Sequence, residues 1–179
     1  MDFKARNWVM IITIVIVTFA VLGGGQMLWQ NFAVARPLDT ALQDINGVEK
    51  VVRENGSKKE DAVKINVTLK NTANLQKTYT EIMDGSASIL GGKRFKIAIA
   101  DSRSPELEQF NYQIQPHIQE AMATGAFTQM VNKIYELAAA KGIGIQVFID
   151  NRNIYLQMSK DGAELYHIAA RYPDSKEVK

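Results

Sequence analysis

The fold of this chain is decided by the stretch Val63-Lys64-Ile65-Asn66-Val67-Thr68-Leu69. Apolar side chains occupy every second position and polar side chains lie between them. A period of two predicts a β-strand with one face buried and the other in water. The apolar face of such a strand needs a covering layer, so the neighbouring segments are expected to supply helices.

Two elements are predicted before this strand. Pro37 is followed by apolar residues three and four positions apart, which predict a short helix that stops at Asn46-Gly47. Residues 48–53 predict a first strand, and the polar residues 55–61 predict its connection to the second.

A helix and a third strand are predicted after it. Apolar positions between Leu75 and Leu90 keep helical spacing until the stop at Gly91-Gly92. Phe95, Ile97 and Ile99 then alternate with polar or small residues, which predicts the third strand.

Two more helices and three strands are predicted downstream. Pro105 is suited to the first turn of a helix that Pro116 should kink and Gly125 should interrupt. A further helix from about residue 127 ends at Lys141-Gly142. The three strands fall at residues 143–149, 154–159 and 163–171, and their short connections predict an antiparallel meander. The whole order predicts an α+β fold, with helices packed on one face of a mainly antiparallel sheet.

The segment from Trp8 to Trp29 has no ionisable side chain. As a helix it would span roughly 33 Å, enough to cross a hydrocarbon core about 30 Å thick. Lys4 and Arg6 precede it, whereas the first basic residue after it is Arg36, so the positive-inside tendency puts the amino terminus in the cytoplasm. We therefore predict a single-pass signal-anchor in the lipid bilayer, with an extracytoplasmic carboxyl-terminal domain.

The resulting layout has five parts. We predict a cytoplasmic stub at 1–7, a transmembrane anchor at 8–29, a linker at 30–36, the α+β domain at 37–172 and a polar tail at 173–179. A cleaved secretory signal is the alternative, because Ala33-Val34-Ala35 has the small-x-small form that signal peptidases favour after Ala35. The length of the apolar run favours the uncleaved anchor.

Composition excludes several classes of function. Three of the 21 basic and one of the 19 acidic residues precede residue 37, which leaves 18 of each sign and a formally neutral outer domain. No basic patch favours nucleic acid. The chain has no cysteine, so disulfides, thiolate metal sites and cysteine nucleophiles are excluded. A thiol-free extracytoplasmic domain favours a bacterial source.

No residues are predicted to be catalytic, cofactor-binding or metal-binding. His117 and His167 are interpreted as structural residues of a helix and of the last strand. Three serines lack the Gly-x-Ser-x-Gly context of a hydrolase, and three glutamates are expected on solvated helix faces. These residues are Ser102, Ser104, Ser159, Glu106, Glu108 and Glu120.

Three loops resemble ligand-binding motifs only in part. Gly91-Gly92-Lys93-Arg94 leads into a strand, whereas phosphate loops lead into a helix. Gly142-Ile143-Gly144 is interpreted as a helix stop and strand entry. Asp150-Asn151-Arg152-Asn153 lacks the glycine and glutamate of a calcium loop and is interpreted as a hairpin turn.

One segment resembles a known family. The run Leu38-Asp39-Thr40-Ala41-Leu42-Gln43-Asp44-Ile45-Asn46-Gly47-Val48-Glu49-Lys50-Val51-Val52, with the following strand, helix and strand, covers residues 38–100. It is similar to ring-building-motif domains, which occur in membrane-anchored rings of secretion, flagellar and sporulation assemblies. The resemblance implies assembly into a ring or scaffold and carries over no catalytic or ligand residue.

Three classes of function follow. The first is a non-enzymatic interaction or assembly domain that binds a protein partner or itself. The second is an extracytoplasmic ligand-binding or sensing module, with a pocket between the meander and the helices. Four tyrosines would line that pocket: Tyr112, Tyr135, Tyr155 and Tyr166. The third is a hydrolase with an unrecognised site.

Overall fold

The computed structural model describes residues 36–54 and 62–172 of this 179-residue chain. The predicted stub, anchor and polar tail lie outside the described residues, as do the cleavage alternative at Ala35 and all of the predicted linker except Arg36. Among the described helices, none combines the length and the apolar character needed to cross a bilayer.

The described helices and strands follow the predicted order. They are α1 (Arg36–Gln43), β1 (Val48–Glu54), β2 (Val63–Leu69), α2 (Leu75–Leu90), β3 (Phe95–Ala100), α3 (Pro105–Thr124), α4 (Phe127–Ala140), β4 (Gly144–Ile149), β5 (Asn153–Lys160) and β6 (Ala163–Ala170). The α+β class is therefore confirmed.

The helix stops predicted at Gly91 and Gly125 are confirmed, and the structure adds two side-chain caps at the helix starts. The Asn74 side chain caps α2 by accepting a hydrogen bond from the backbone N–H of Lys77, at 2.9 Å. Ser104 caps α3 in the same way, immediately before Pro105. Gly91 and Gly125 end these two helices in the left-handed conformation, at φ 57° and 77°.

The six strands form two sheets, and the expectation of one sheet is wrong. The first has the order β1-β2-β3 and the second the order β4-β5-β6. Three of the four strand pairs are antiparallel, as expected, but β2 and β3 are parallel. The physical reason is that α2 carries the chain back to the starting end of β2 before β3 begins. Helices α3 and α4 then intervene, and the last three strands pair only with one another.

The first core lies between the β1-β2-β3 sheet and the helices α1 and α2. Ile65 and Val67 of β2 point into it and meet Leu38, Leu42 and Ile82 of the two helices. All five side chains are fully buried. The strand that decides the fold thus has its predicted apolar face covered by helices.

The second core lies between the β4-β5-β6 sheet and the helices α3 and α4. Phe110 and Ile114 of α3, Ile134 of α4 and Leu156 of β5 are fully buried in it. The opposite face of this sheet contacts α2, and Tyr155 and Tyr166 join the first core. Helices therefore cover both faces of the second sheet, whereas the expectation of one covered face holds only for the first.

Candidate interaction surface

The β1-β2-β3 sheet has a second face that points away from α1 and α2. We call it the outer face. Every side chain on it is exposed or half-buried, so none of the described helices covers it. Its residues, in three cross-strand rows, are Lys50, Thr68 and Ala100; Val52, Asn66 and Ala98; and Glu54, Lys64 and Lys96.

The chemistry of the outer face changes from row to row. The middle row is uncharged, and its Val52 side chain is 42% exposed. The third row is charged and sets Lys64 directly beside Lys96 in the parallel pair. Glu54 in the same row accepts a hydrogen bond from the Asn66 amide at 3.1 Å. The outer face is therefore of mixed polarity, as are the surfaces of many non-obligate protein interfaces.

Two of the four edge strands are protected against pairing with another strand. A register irregularity between Val48 and Lys50 interrupts β1, which is also rich in charged residues. The β6 edge is blocked by the loop after β3, because Asp101 accepts a hydrogen bond from the Tyr166 N–H and Ser102 accepts one from the Glu164 N–H. The distances are 2.9 Å and 3.3 Å.

Within residues 36–54 and 62–172, the β3 edge shows neither kind of protection. Its six residues contain no proline and a single charge, on Lys96. Its inward-pointing side chains, those of Phe95, Ile97 and Ile99, are only half-buried, whereas Ile65 beside Ile97 on β2 is fully buried. Among the described strands, β2 is the one neighbour of β3. The edge therefore presents apolar side chains and backbone groups together.

Polar contacts at the carboxyl ends of β2 and β3 fasten the two sheets together. The Thr72 N–H donates to the Tyr166 hydroxyl at 3.2 Å, and the Asn71 N–H donates to the Glu164 carboxylate at 2.8 Å. The Gln157 amide donates to the Thr72 carbonyl. Parallel strands commonly bind ligands at this end. Here the second sheet packs against the carboxyl ends of β2 and β3.

His167 is half-buried on β6, opposite Leu156 of β5. Its Nε2 lies 3.3 Å from the Gln115 side-chain nitrogen. Burial, together with the nearby charge of Arg103, lowers the pKa of His167 below its usual value. His117 lies elsewhere, on a cleft between α3 and α4. Within 36–54 and 62–172, no group of three or more metal-ligating side chains occurs.

The cleft between α3 and α4 has a volume of about 280 Å³. His117 and Glu120 line it from α3, and Gln129, Met130 and Lys133 line it from α4. The Lys133 ammonium is paired with Glu136 at 3.0 Å. The lining of the cleft is therefore of mixed charge.

The four tyrosines proposed to line a pocket do not meet. Tyr155 and Tyr166 are 2% and 4% exposed in the first core. Tyr112 and Tyr135 are 68% and 43% exposed on helices. The aromatic lining expected for a sensing module is therefore not assembled.

The Asp150 segment forms the predicted hairpin turn. The Asp150 carboxylate accepts backbone hydrogen bonds from Arg152 at 2.6 Å and Asn153 at 2.7 Å. Burial alone would raise the pKa of Asp150, but these bonds lower it below its usual value. The Tyr155 hydroxyl donates to the same carboxylate at 2.8 Å, and burial of Tyr155, aided by this bond, raises its pKa to about 12.

The three serines singled out in the sequence, and Glu106 among the glutamates, have structural contacts. Ser102 accepts from the β6 backbone, Ser104 caps α3, and Ser159 lies opposite Gly144 in the β4-β5 ladder. Glu106 pairs with Lys160. Sequence reasoning missed the β3 edge, because alternation identifies a strand but does not say which strands flank it.

Comparison of the whole chain with protein-family models, with curated proteins and with solved structures found no match.

Proposed function

We propose that this protein is a single-pass, membrane-anchored assembly protein whose extracytoplasmic domain acts without catalysis by associating with further copies of itself. The observation that carries the proposal is the β3 edge. Among the described residues, this edge presents backbone groups and half-buried apolar side chains without a partner strand, whereas β1 and β6 are protected. Natural proteins seldom leave such an edge bare unless something pairs with it.

Two further features support the proposal. The uncharged segment from Trp8 to Trp29 would confine each copy to the membrane plane, which raises the effective concentration of one domain for another. The order α1-β1-β2-α2-β3 is also compatible with the resemblance to ring-building-motif domains, whose function is assembly.

The mass of the full chain in detergent tests the proposal. We expect light scattering, with the detergent contribution subtracted, to show discrete oligomers whose fraction grows with protein concentration. Mass action requires that growth if copies bind one another. A strictly monomeric mass over the whole concentration series would contradict the proposal.

A further inference from the structure

We propose that β3 pairs antiparallel with β3 of a second copy, about a twofold axis at Ile97. The inference rests on the proposed self-assembly and names the surface that performs it. The two sheets would join into one six-stranded sheet. The contact is isologous, since both copies use the same strand.

The direction of the peptide groups shows which residues can pair. The Val63 N–H donates to the Arg94 carbonyl at 2.9 Å, so the backbone polar groups of Arg94 face β2. The N–H and C=O of one strand residue point to the same neighbouring strand, and this direction alternates from each residue to the next. The N–H and C=O groups of residues 96, 98 and 100 therefore also face β2. The N–H and C=O groups of Phe95, Ile97 and Ile99 therefore face the edge.

A twofold axis at Ile97 gives all three residues a partner. Ile97 lies opposite its own copy, and Phe95 lies opposite Ile99 of the second copy. Residues that face each other in this way exchange both backbone hydrogen bonds. Their half-buried side chains also become cross-strand neighbours, which adds apolar contact on the inner side of the sheet.

The same register places the charges favourably. Lys96 lies opposite Ala98 of the second copy, so the one charged residue of β3 never faces itself. Like charges directly opposite would oppose pairing. No described helix covers the outer face beside the β3 edge, so a second copy can approach this edge from that side. The β4 edge, by contrast, lies between α2 and α4 on the two faces of its sheet.

Two substitutions at Ala98 test the inference with opposite signs. Ala98 is exposed, so neither change should unfold the domain. Ala98→Lys would set a lysine opposite Lys96 of the second copy, and Ala98→Glu would set a glutamate there. Each dimer holds two such pairs, so we expect the dimer dissociation constant to rise at least about threefold for Ala98→Lys and to fall by a similar factor for Ala98→Glu.

The measurement is sedimentation equilibrium of the full chain in one detergent, with Gln146→Lys on the β4 edge as the matched control. Gln146 is exposed, and we expect its replacement to leave the dissociation constant unchanged. If wild type associates but both Ala98 variants shift the constant in the same direction or not at all, the β3 pairing is wrong and the proposed assembly stands. If Gln146→Lys alone weakens association, the pairing is likewise wrong. If wild type stays monomeric, both proposals fail.

Discussion

Replacing Phe110 by alanine is expected to lower the free energy of unfolding by about 3–5 kcal/mol, the usual cost of removing a buried aromatic side chain. Phe110 is fully buried in the second core, between α3 and the β4-β5-β6 sheet. The loss combines the transfer of the ring to water with the cavity that it leaves. Urea denaturation followed by circular dichroism measures it.

Tyr112→Ala provides the matched control on the same helix. Tyr112 is 68% exposed, so we expect its replacement to change the free energy of unfolding by less than about 0.5 kcal/mol. Tyr155 and Tyr166 belong to the second sheet but pack in the first core, so Phe110→Ala should shift one cooperative transition. Loss of the second sheet alone, with the first core still folded, would contradict this coupling.

Replacing Gly47 by alanine is expected to cost about 2–5 kcal/mol, from backbone strain and overpacking together. Gly47 has φ +91°, a conformation that side chains disfavour, and an added Cβ would lie 2.7 Å from Thr72 Oγ1. Moving Gly47 away from Thr72 to relieve this clash is costly, because the Lys70 N–H donates to the Gly47 carbonyl at 3.0 Å and holds the two segments together. Thermal and urea denaturation would both report the loss.

Gly92→Ala is a control that separates the backbone strain of a positive φ from the steric clash with Thr72. Gly92 has a similar φ of +87°, but nothing lies within 4 Å of an added Cβ. We expect this change to cost only about 1–2 kcal/mol, the penalty of the left-handed conformation alone. Equal losses at the two positions would show that the contact with Thr72 adds nothing.

The helices and strands could be predicted from the sequence because their signals are local. Gly91 ends α2, and Pro105 and Gly125 bracket α3, at the positions that the sequence predicts. Alternation in β2 likewise needs no knowledge of distant residues. The predicted hairpin at Asp150 is confirmed for the same reason, because its side chain bonds the backbone two and three residues ahead.

The arrangement of the strands could not be predicted, because strand pairing is not local. Nothing between 95 and 100 shows that β3 has one neighbour among the described strands or that this neighbour is parallel. The division into two sheets, which pack together through contacts such as the hydrogen bond from the Thr72 N–H to the Tyr166 hydroxyl 94 residues away, is equally non-local. The β3 edge is a consequence of that division, so the candidate surface appears only in the folded chain.

The central claim, that two copies meet along β3, is tested most directly by cysteine cross-linking, because the chain has no cysteine of its own. Lys96 and Ala98 of the second copy would form a non-hydrogen-bonded pair with Cα atoms about 4.5 Å apart, within the range of a disulfide. We predict that differently tagged full-length Lys96→Cys and Ala98→Cys chains, mixed in detergent and oxidised, form a mixed disulfide. Ala98→Cys alone should not cross-link, since its copies would lie about 7–8 Å apart across the diagonal. No mixed disulfide, or an equal yield from Ala98→Cys alone, would contradict the account.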